Sequence, residues 1–318
     1  MGSSTGEAPL LTRIVEQLAD YQVVLQPERD APEWWAGAPA VCVDPDGAVW
    51  LVARMRSPER PKGERGYALW LLRSEDGIAF VKVCAWTREE AGILGFERAA
   101  LVRNPATGRY RLFYCTDPGG GWVILACDEA DSPEAIAIAS GKPVIAAKPL
   151  DADTFGVTGF KDPVIHIEDG LWHLFAIGLD RVERIHHFTS TDGEDWQAGL
   201  PAPVMPNTGW HDFYTRPACI LPLEVGYLFV YEGSHHTWFD PNYQIATGLA
   251  YSPDLRTFHD LTPEAPLLES TTPGAYRTWR YSHWVRHGGG IKVYFEAACA
   301  NGTNELRVAR LDRFDGTP

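Results

Sequence analysis

The chain has 318 residues, a net charge of −14 and 45% apolar residues. Such acidity argues against nucleic acid or anionic membrane as a partner, because both attract basic surface that displaces their counterions. No apolar run approaches the length of a membrane span, and the apolar content is ample for a core.

The polar start, Met1 to Gly6, reads without a secretion signal. Residues 10–20 are expected to form a short amphipathic helix with Thr12 as its cap, and Tyr21–Leu25 a strand. That strand is a candidate for the outer edge of the last unit of a closed array. A loop over 26–35, with two prolines and Asp30 and Glu33, leads into the first unit and carries Trp34 and Trp35.

From there one pattern recurs five times: a short apolar strand, a glycine turn, and a second strand rich in large apolar residues. Its clearest copy is Lys161-Asp162-Pro163-Val164-Ile165-His166-Ile167, then Glu168-Asp169-Gly170, then Leu171-Trp172-His173-Leu174-Phe175. An Asp-Gly step between two such runs is a strong hairpin signal, because both central turn residues need positive φ. The other copies turn at Gly47, Gly108, Gly226 and Gly289, and the five turns lie 61, 62, 56 and 63 residues apart. A period of this size in an all-β pattern predicts a radial array: a five-bladed β-propeller of about four antiparallel strands per blade, forming one domain over 1–318 with 1–20 as an extension. Three copies share a polar tail, Ser74 to Phe80, Ser190 to Trp196 and Ser252 to Phe258, suited to joining a third strand to a fourth. In the second copy, residues 127–134 stand in its place as a loop or short helical turn.

The six cysteines show no CxxC or Cys/His spacing. They are expected to be buried free thiols, which with the polar start suggests a cytoplasmic protein. His186-His187 and His235-His236 are each read as neighbours on a strand, pointing to opposite faces. No metal site is therefore expected from them, and no cofactor, although a propeller axis leaves room for a structural cation.

In a propeller the first strand of each blade runs beside the axis, so the residues entering these strands should converge. Across the repeats they are Gly37-Ala38-Pro39, Glu97-Arg98-Ala99, Lys161-Asp162-Pro163, Thr215-Arg216-Pro217 and Ser282-His283-Trp284. Second strands and their following loops add Arg54, Arg56, Asp117, Glu232 and Glu296. A ring holding both acids and arginines is costly to desolvate unless the charges pair or a ligand uses them. Its chemistry suits glycosidic bond cleavage, which needs one carboxyl to protonate the leaving oxygen and one carboxylate to activate water or attack. Arg98, Arg216, His235, His283 and Glu296 are candidate substrate contacts, and Trp34, Trp35 and Trp238 candidate sugar platforms.

The repeat, with Lys161-Asp162-Pro163 and its Ser-x-Asp-Gly tails, resembles the five-bladed glycosidases of families 43, 32, 68 and 130 over essentially the whole chain. The resemblance implies a carbohydrate substrate. Family 43 enzymes carry acids entering blades one, three and four, where this chain has Ala38, Asp162 and Arg216; only Asp162 is kept. The Asn-Asp-Pro nucleophile motif of families 32 and 68 is absent. A displaced set, Glu97, Asp162 and Glu232, is preferred as the catalytic acids over a replacement base from Asp30 or Glu33. Glu232 is then the general acid, and Glu97 or Asp162 the base or nucleophile. The activity expected is hydrolysis of a small glycoside or oligosaccharide end, furanosides included. The alternatives are a non-catalytic carbohydrate-binding propeller and a phosphate-dependent phosphorylase.

Overall fold

The computed structural model describes residues 10–147, 156–201, 203–270, 272 and 277–312. The polar start before residue 10 and the tail from 313 lie outside the described residues. The chain is nearly all β. It opens with helix α1 (Leu10–Leu18), whose buried face holds Ile14 and Leu18, followed by strand β1 (Tyr21–Leu25).

Five antiparallel units follow. The first is β2 (Trp35–Val43), β3 (Val49–Arg56), β4 (Gly66–Ser74) and β5 (Val81–Thr87). A capped helical turn, α2 (Arg88–Ala91), leads to the second unit: β6 (Ala100–Arg103), β7 (Tyr110–Thr116), β8 (Val123–Ala126) and β9 (Lys142–Ala146). The third is β10 (Phe160–Glu168), β11 (Leu171–Asp180), β12 (Val182–Ser190) and the short β13 (Gln197–Ala198). The fourth comprises β14 (Tyr214–Pro222), β15 (Tyr227–Ser234) and β16 (Ala246–Ser252), with β17 (His259–Asp260) and β18 (Leu268–Glu269) both pairing β16. The fifth is β19 (Trp279–His287), β20 (Gly290–Ala298) and β21 (Asn304–Leu311), and β1 pairs β21 as its fourth strand. The N-terminal strand thus covers the edge that β21 would otherwise leave open.

The first strands pack side by side: β2 against β6, β6 against β10, β10 against β14, β14 against β19, and β19 against β2. Apolar residues follow this order. One core joins Trp50, Leu69 and Trp86 of the first unit to Phe96, Leu112 and Tyr114 of the second. Another joins Phe113 and Ile124 to Trp172 and Leu174. A third holds Phe175, Phe229 and Tyr231, and a fourth Val230, Leu249, Trp284 and Phe295. The last brings Tyr294 and Val308 of the fifth unit back onto Leu51 and Met55 of the first. Sheets with one apolar face per side bury both faces only by stacking on neighbours.

The three polar tails form the same turn, as their composition requires. Ser74, Ser190 and Ser252 each accept a backbone N–H three residues on, at 2.8–2.9 Å. Asp76, Asp192 and Asp254 accept the next two. They join β4 to β5, β12 to β13 and β16 to β17, the third-to-fourth connections expected.

Candidate functional site

A bulge sits near the start of the first strand in four of the units. Register slips between Gly37 and Ala40, Lys161 and Val164, Pro217 and Cys219, and Arg280 and His283. Ala38, Asp162 and Tyr281 take positive φ (50°, 55° and 54°) at three of the bulges, an uncommon conformation for residues with a side chain. A bulge turns the strand and re-aims the residues beside it. Just before each bulge, first-strand residues pair across to the second strand: Gly37 with Arg54, Lys161 with Ile177, Arg216 with Glu232, Arg280 with Glu296. In the second unit the Glu97 N–H donates to the Cys115 carbonyl.

These positions gather into one buried charged cluster. Asp162, Glu232 and Glu296 are 0% exposed, and Arg54, Arg98, Arg216 and Arg280 at most 5%. Tyr281 lies at the centre. Its hydroxyl donates to Asp162 Oδ2 at 3.2 Å, and its backbone N–H donates to Glu232 Oε1. The guanidinium carbons of Arg54, Arg98 and Arg280 stand 5.4, 5.6 and 4.9 Å from its ring centre. Asp162 Oδ1 accepts the Arg98 N–H at 3.1 Å.

Around this core the charges pair. Arg54 bridges Glu97 and Glu296. Glu296 also accepts from Arg280 (2.8 Å), Asn304 Nδ2 (2.6 Å) and the Ala38 N–H (2.9 Å). Glu183 on β12 joins Arg216 and Lys161, the latter at 3.0 Å. Those two cations hold the Glu183 carboxyl below its ordinary range despite burial. Solvent reaches the cluster at the side chains of Glu97 and Lys161, each 14% exposed.

Two groups stand out. Burial pushes the Glu232 carboxyl up to about 7, against the opposing pull of Arg98, Arg216 and Arg280. Among the described residues its Oε2 has no hydrogen-bond partner. Arg98 spends its terminal nitrogens on the Pro217 and Ala218 carbonyls (3.3 and 2.6 Å), leaving Nε buried and unpartnered among the described residues.

The cluster therefore unites Glu97, Asp162, Glu232, Arg98, Arg216 and Glu296, and several other expectations need revision. Tyr281, not His283, occupies the bulge of the fifth unit, because β19 begins at Trp279. His283 lies further along the strand, where its Nδ1 accepts the Val41 N–H at 3.3 Å and burial depresses its imidazole to about 3. It lines a cavity of about 500 Å³ walled by the first strands past the bulges, with Val41, Leu101, Ile165 and Ile220, but without the three acids. Trp35 is not in a loop: it starts β2, is 1% exposed, and has Arg56 and Arg280 over its ring at 4.2 and 5.3 Å. Trp34 is likewise buried. Trp238 is half-buried and lies parallel to Trp210 at 6.5 Å. Glu33 pairs with Arg65 at 2.9 Å, and Asp30 accepts from Asn301 beside a separate pocket. Asp117 caps its own turn through the Gly119 and Gly121 N–H groups.

The histidine pairs divide. His186 and His187 do sit on β12, the first against Phe160 and the second against Phe175 and His173. His235 and His236 fall beyond the end of β15, so strand alternation does not separate them. Their rings lie 4.4 Å apart and both face Asp212.

Sequence reasoning missed Glu183, Arg280 and Tyr281. Arg280 was legible: it precedes Glu296 by the same interval that Arg216 precedes Glu232. Glu183 showed only as one of several polar residues in the strand Val182–Ser190, with nothing to single it out.

No family model and no curated protein matches the chain. Solved structures do. A structure described as a glycoside hydrolase superposes with a TM-score of 0.72 at 15% identity, covering 96% of this chain and 97% of the other. A glycosyl hydrolase from Bacteroides ovatus gives 0.68 at 16% identity over 92% and 93%. A β-1,2-mannobiose phosphorylase from Listeria innocua, complexed with β-1,2-mannobiose, gives 0.65 at 14% identity over 91% and 94%.

Proposed function

Starting from a fold held in common with glycoside-processing proteins, we propose that this chain is a one-domain, five-bladed β-propeller that cleaves a glycosidic bond at the Tyr281 cluster. The observation that carries this reading is Glu232: a fully buried carboxyl raised to about 7, with one oxygen unspent. Such a group holds a proton near neutrality and has an oxygen from which to give it, as a general acid requires. Asp162 cannot share that role easily, since both its oxygens already accept hydrogen bonds, from the Arg98 N–H and the Tyr281 hydroxyl. It serves instead as a fixed acceptor that orients Tyr281 beside the reacting centre. Glu97, the acid that solvent reaches, takes the proton from the attacking water, with Arg54 holding it in place.

The step balances as a displacement. Glu232 protonates the departing glycosidic oxygen, the bond to the anomeric carbon breaks, and water loses its proton to Glu97 as it adds. Arg98 and Arg216 anchor substrate hydroxyls or a carboxylate.

Phosphate in place of water is the second reading. It is favoured by the excess of cations: Arg54, Arg56, Arg98, Lys161, Arg216 and Arg280 outnumber Glu97, Asp162, Glu183, Glu232 and Glu296. One assay separates them. Purified protein is given a panel of pyranosides and furanosides with and without phosphate, and products are resolved as free sugar or sugar 1-phosphate. The expected result is free sugar, lost in Glu232→Gln and Asp162→Asn. Sugar 1-phosphate formed only with phosphate selects the second reading. No turnover across the panel, with sugar binding intact, leaves a carbohydrate-binding propeller.

A further inference from the structure

The short turn after β15 sets His235 and His236 against Asp212, which precedes β14. Candidate ligand atoms of the three lie within 4.8 Å of one another. His235 Nε2 is 3.6 Å from Asp212 Oδ2, and His236 Nδ1 is 2.5 Å from the same oxygen. Second contacts fix the set. The His236 backbone N–H donates to Asp212 Oδ1 at 2.9 Å, orienting the carboxylate, and His235 Nδ1 lies 2.7 Å from Thr237 Oγ1. The Thr237 backbone N–H donates to His235 Nδ1 at 3.2 Å, so in the metal-free chain Nε2 carries the ring proton toward Asp212 Oδ2, and a bound ion would displace that proton.

We propose that Asp212, His235 and His236 form a binding site for a zinc-like divalent metal ion, independent of the bond cleavage assigned to the Tyr281 cluster. Two imidazole nitrogens and one carboxylate oxygen match the donors zinc takes, whereas calcium takes six to eight oxygens. Ligand atoms about 2.0–2.2 Å from a tetrahedral ion stand about 3.3 Å from each other. The 3.6 Å pair already fits. The 2.5 Å pair is a hydrogen bond that must open by about 0.8 Å on metal binding, which the exposed His236 side chain permits, at 60% relative exposure. Three protein ligands leave a fourth position open for water or a ligand oxygen.

The site is joined to the charged residues through short stretches of chain. Asp212 is two residues from Tyr214, whose ring lies under Arg216 at 4.5 Å. The chain after His236 returns to put Tyr243 on Arg56 at 3.4 Å.

The test uses the untagged full chain stripped with chelator. Calorimetric titration with zinc chloride is expected to show one equivalent bound, weakened about tenfold or more in His235→Ala and in Asp212→Asn. His259→Ala, which removes an exposed histidine elsewhere, is expected to bind as the parent does. Cobalt(II) should give the visible bands of a four- or five-coordinate ion in the parent and lose them in His235→Ala. These side chains are half-buried or exposed, so the variants are expected to keep the parent's circular dichroism. Absence of zinc binding overturns the proposal, as does binding that survives both substitutions undiminished. Neither result bears on whether Glu232 cleaves a glycoside.

Discussion

Glu232→Gln separates stability from chemistry. Glutamine keeps the shape of the side chain and the oxygen that accepts the Tyr281 N–H, but cannot ionise. Burial raises the Glu232 carboxyl from its ordinary 4.5 to about 7, which corresponds to about 3 kcal/mol against the ionised form in the folded protein. Between these two values the folded chain holds a proton that the unfolded chain has released. This group's contribution to stability therefore falls as pH rises through that window, and the loss is complete above it. Every other titrating group is common to parent and variant, so it cancels in the difference. Urea unfolding should find the two within about 1 kcal/mol at pH 5, and Glu232→Gln more stable by about 2–3 kcal/mol at pH 8. A difference that does not change with pH would refute the reasoning. So would a glutamine variant that is the weaker protein at pH 8, because the three nearby arginines would then outweigh burial.

The neighbouring acid should behave in the opposite way. Glu296→Ala strips Arg280, Arg54, Asn304 and the Ala38 N–H of their shared acceptor, and should cost about 3–5 kcal/mol in urea unfolding. Gly37→Ala should disrupt the same group from the backbone side, since its new Cβ would fall 1.9 Å from Glu296 Oε2. About 1–3 kcal/mol of destabilisation is expected from such overpacking, read by the same unfolding curves. Deleting residues 10–25 would unpair the β21 edge and uncover Ala309 and Leu311. A lower melting temperature with increased light scattering on heating should follow.

Much of this arrangement was legible in the chain. Glycine turns and alternating apolar strands announce hairpins through local chemistry, and the Ser-x-Asp tails form the turns that their side chains dictate. The strand Tyr21–Leu25, read as an outer edge, pairs β21. What escaped the sequence were the bulges. Each inserts a residue that no apolar alternation marks, so the fourth unit was aligned one position early, with Arg216 set beside Asp162 although it pairs as Lys161 does, and the fifth two positions late, with His283 where Tyr281 belongs. Trp35 was hidden by its context, because the prolines before it suggested a loop reaching up to the strand it begins. The pairing of Glu183 with Arg216 depends on contact between the third and fourth units, which spacing along the chain does not encode. The extent of β15 decided the His235-His236 pair: the strand ends at Ser234, so neither histidine is held by strand alternation.

The most direct test of the central claim is the pH dependence of kcat/KM for a glycoside that the parent protein cleaves. If the buried Glu232 carboxyl donates the proton, the rate should fall about tenfold per pH unit above about 7, and Glu232→Gln should retain at most about one hundredth of the activity at pH 6. A profile flat from pH 6 to 9, or a glutamine variant as active as the parent, would contradict it.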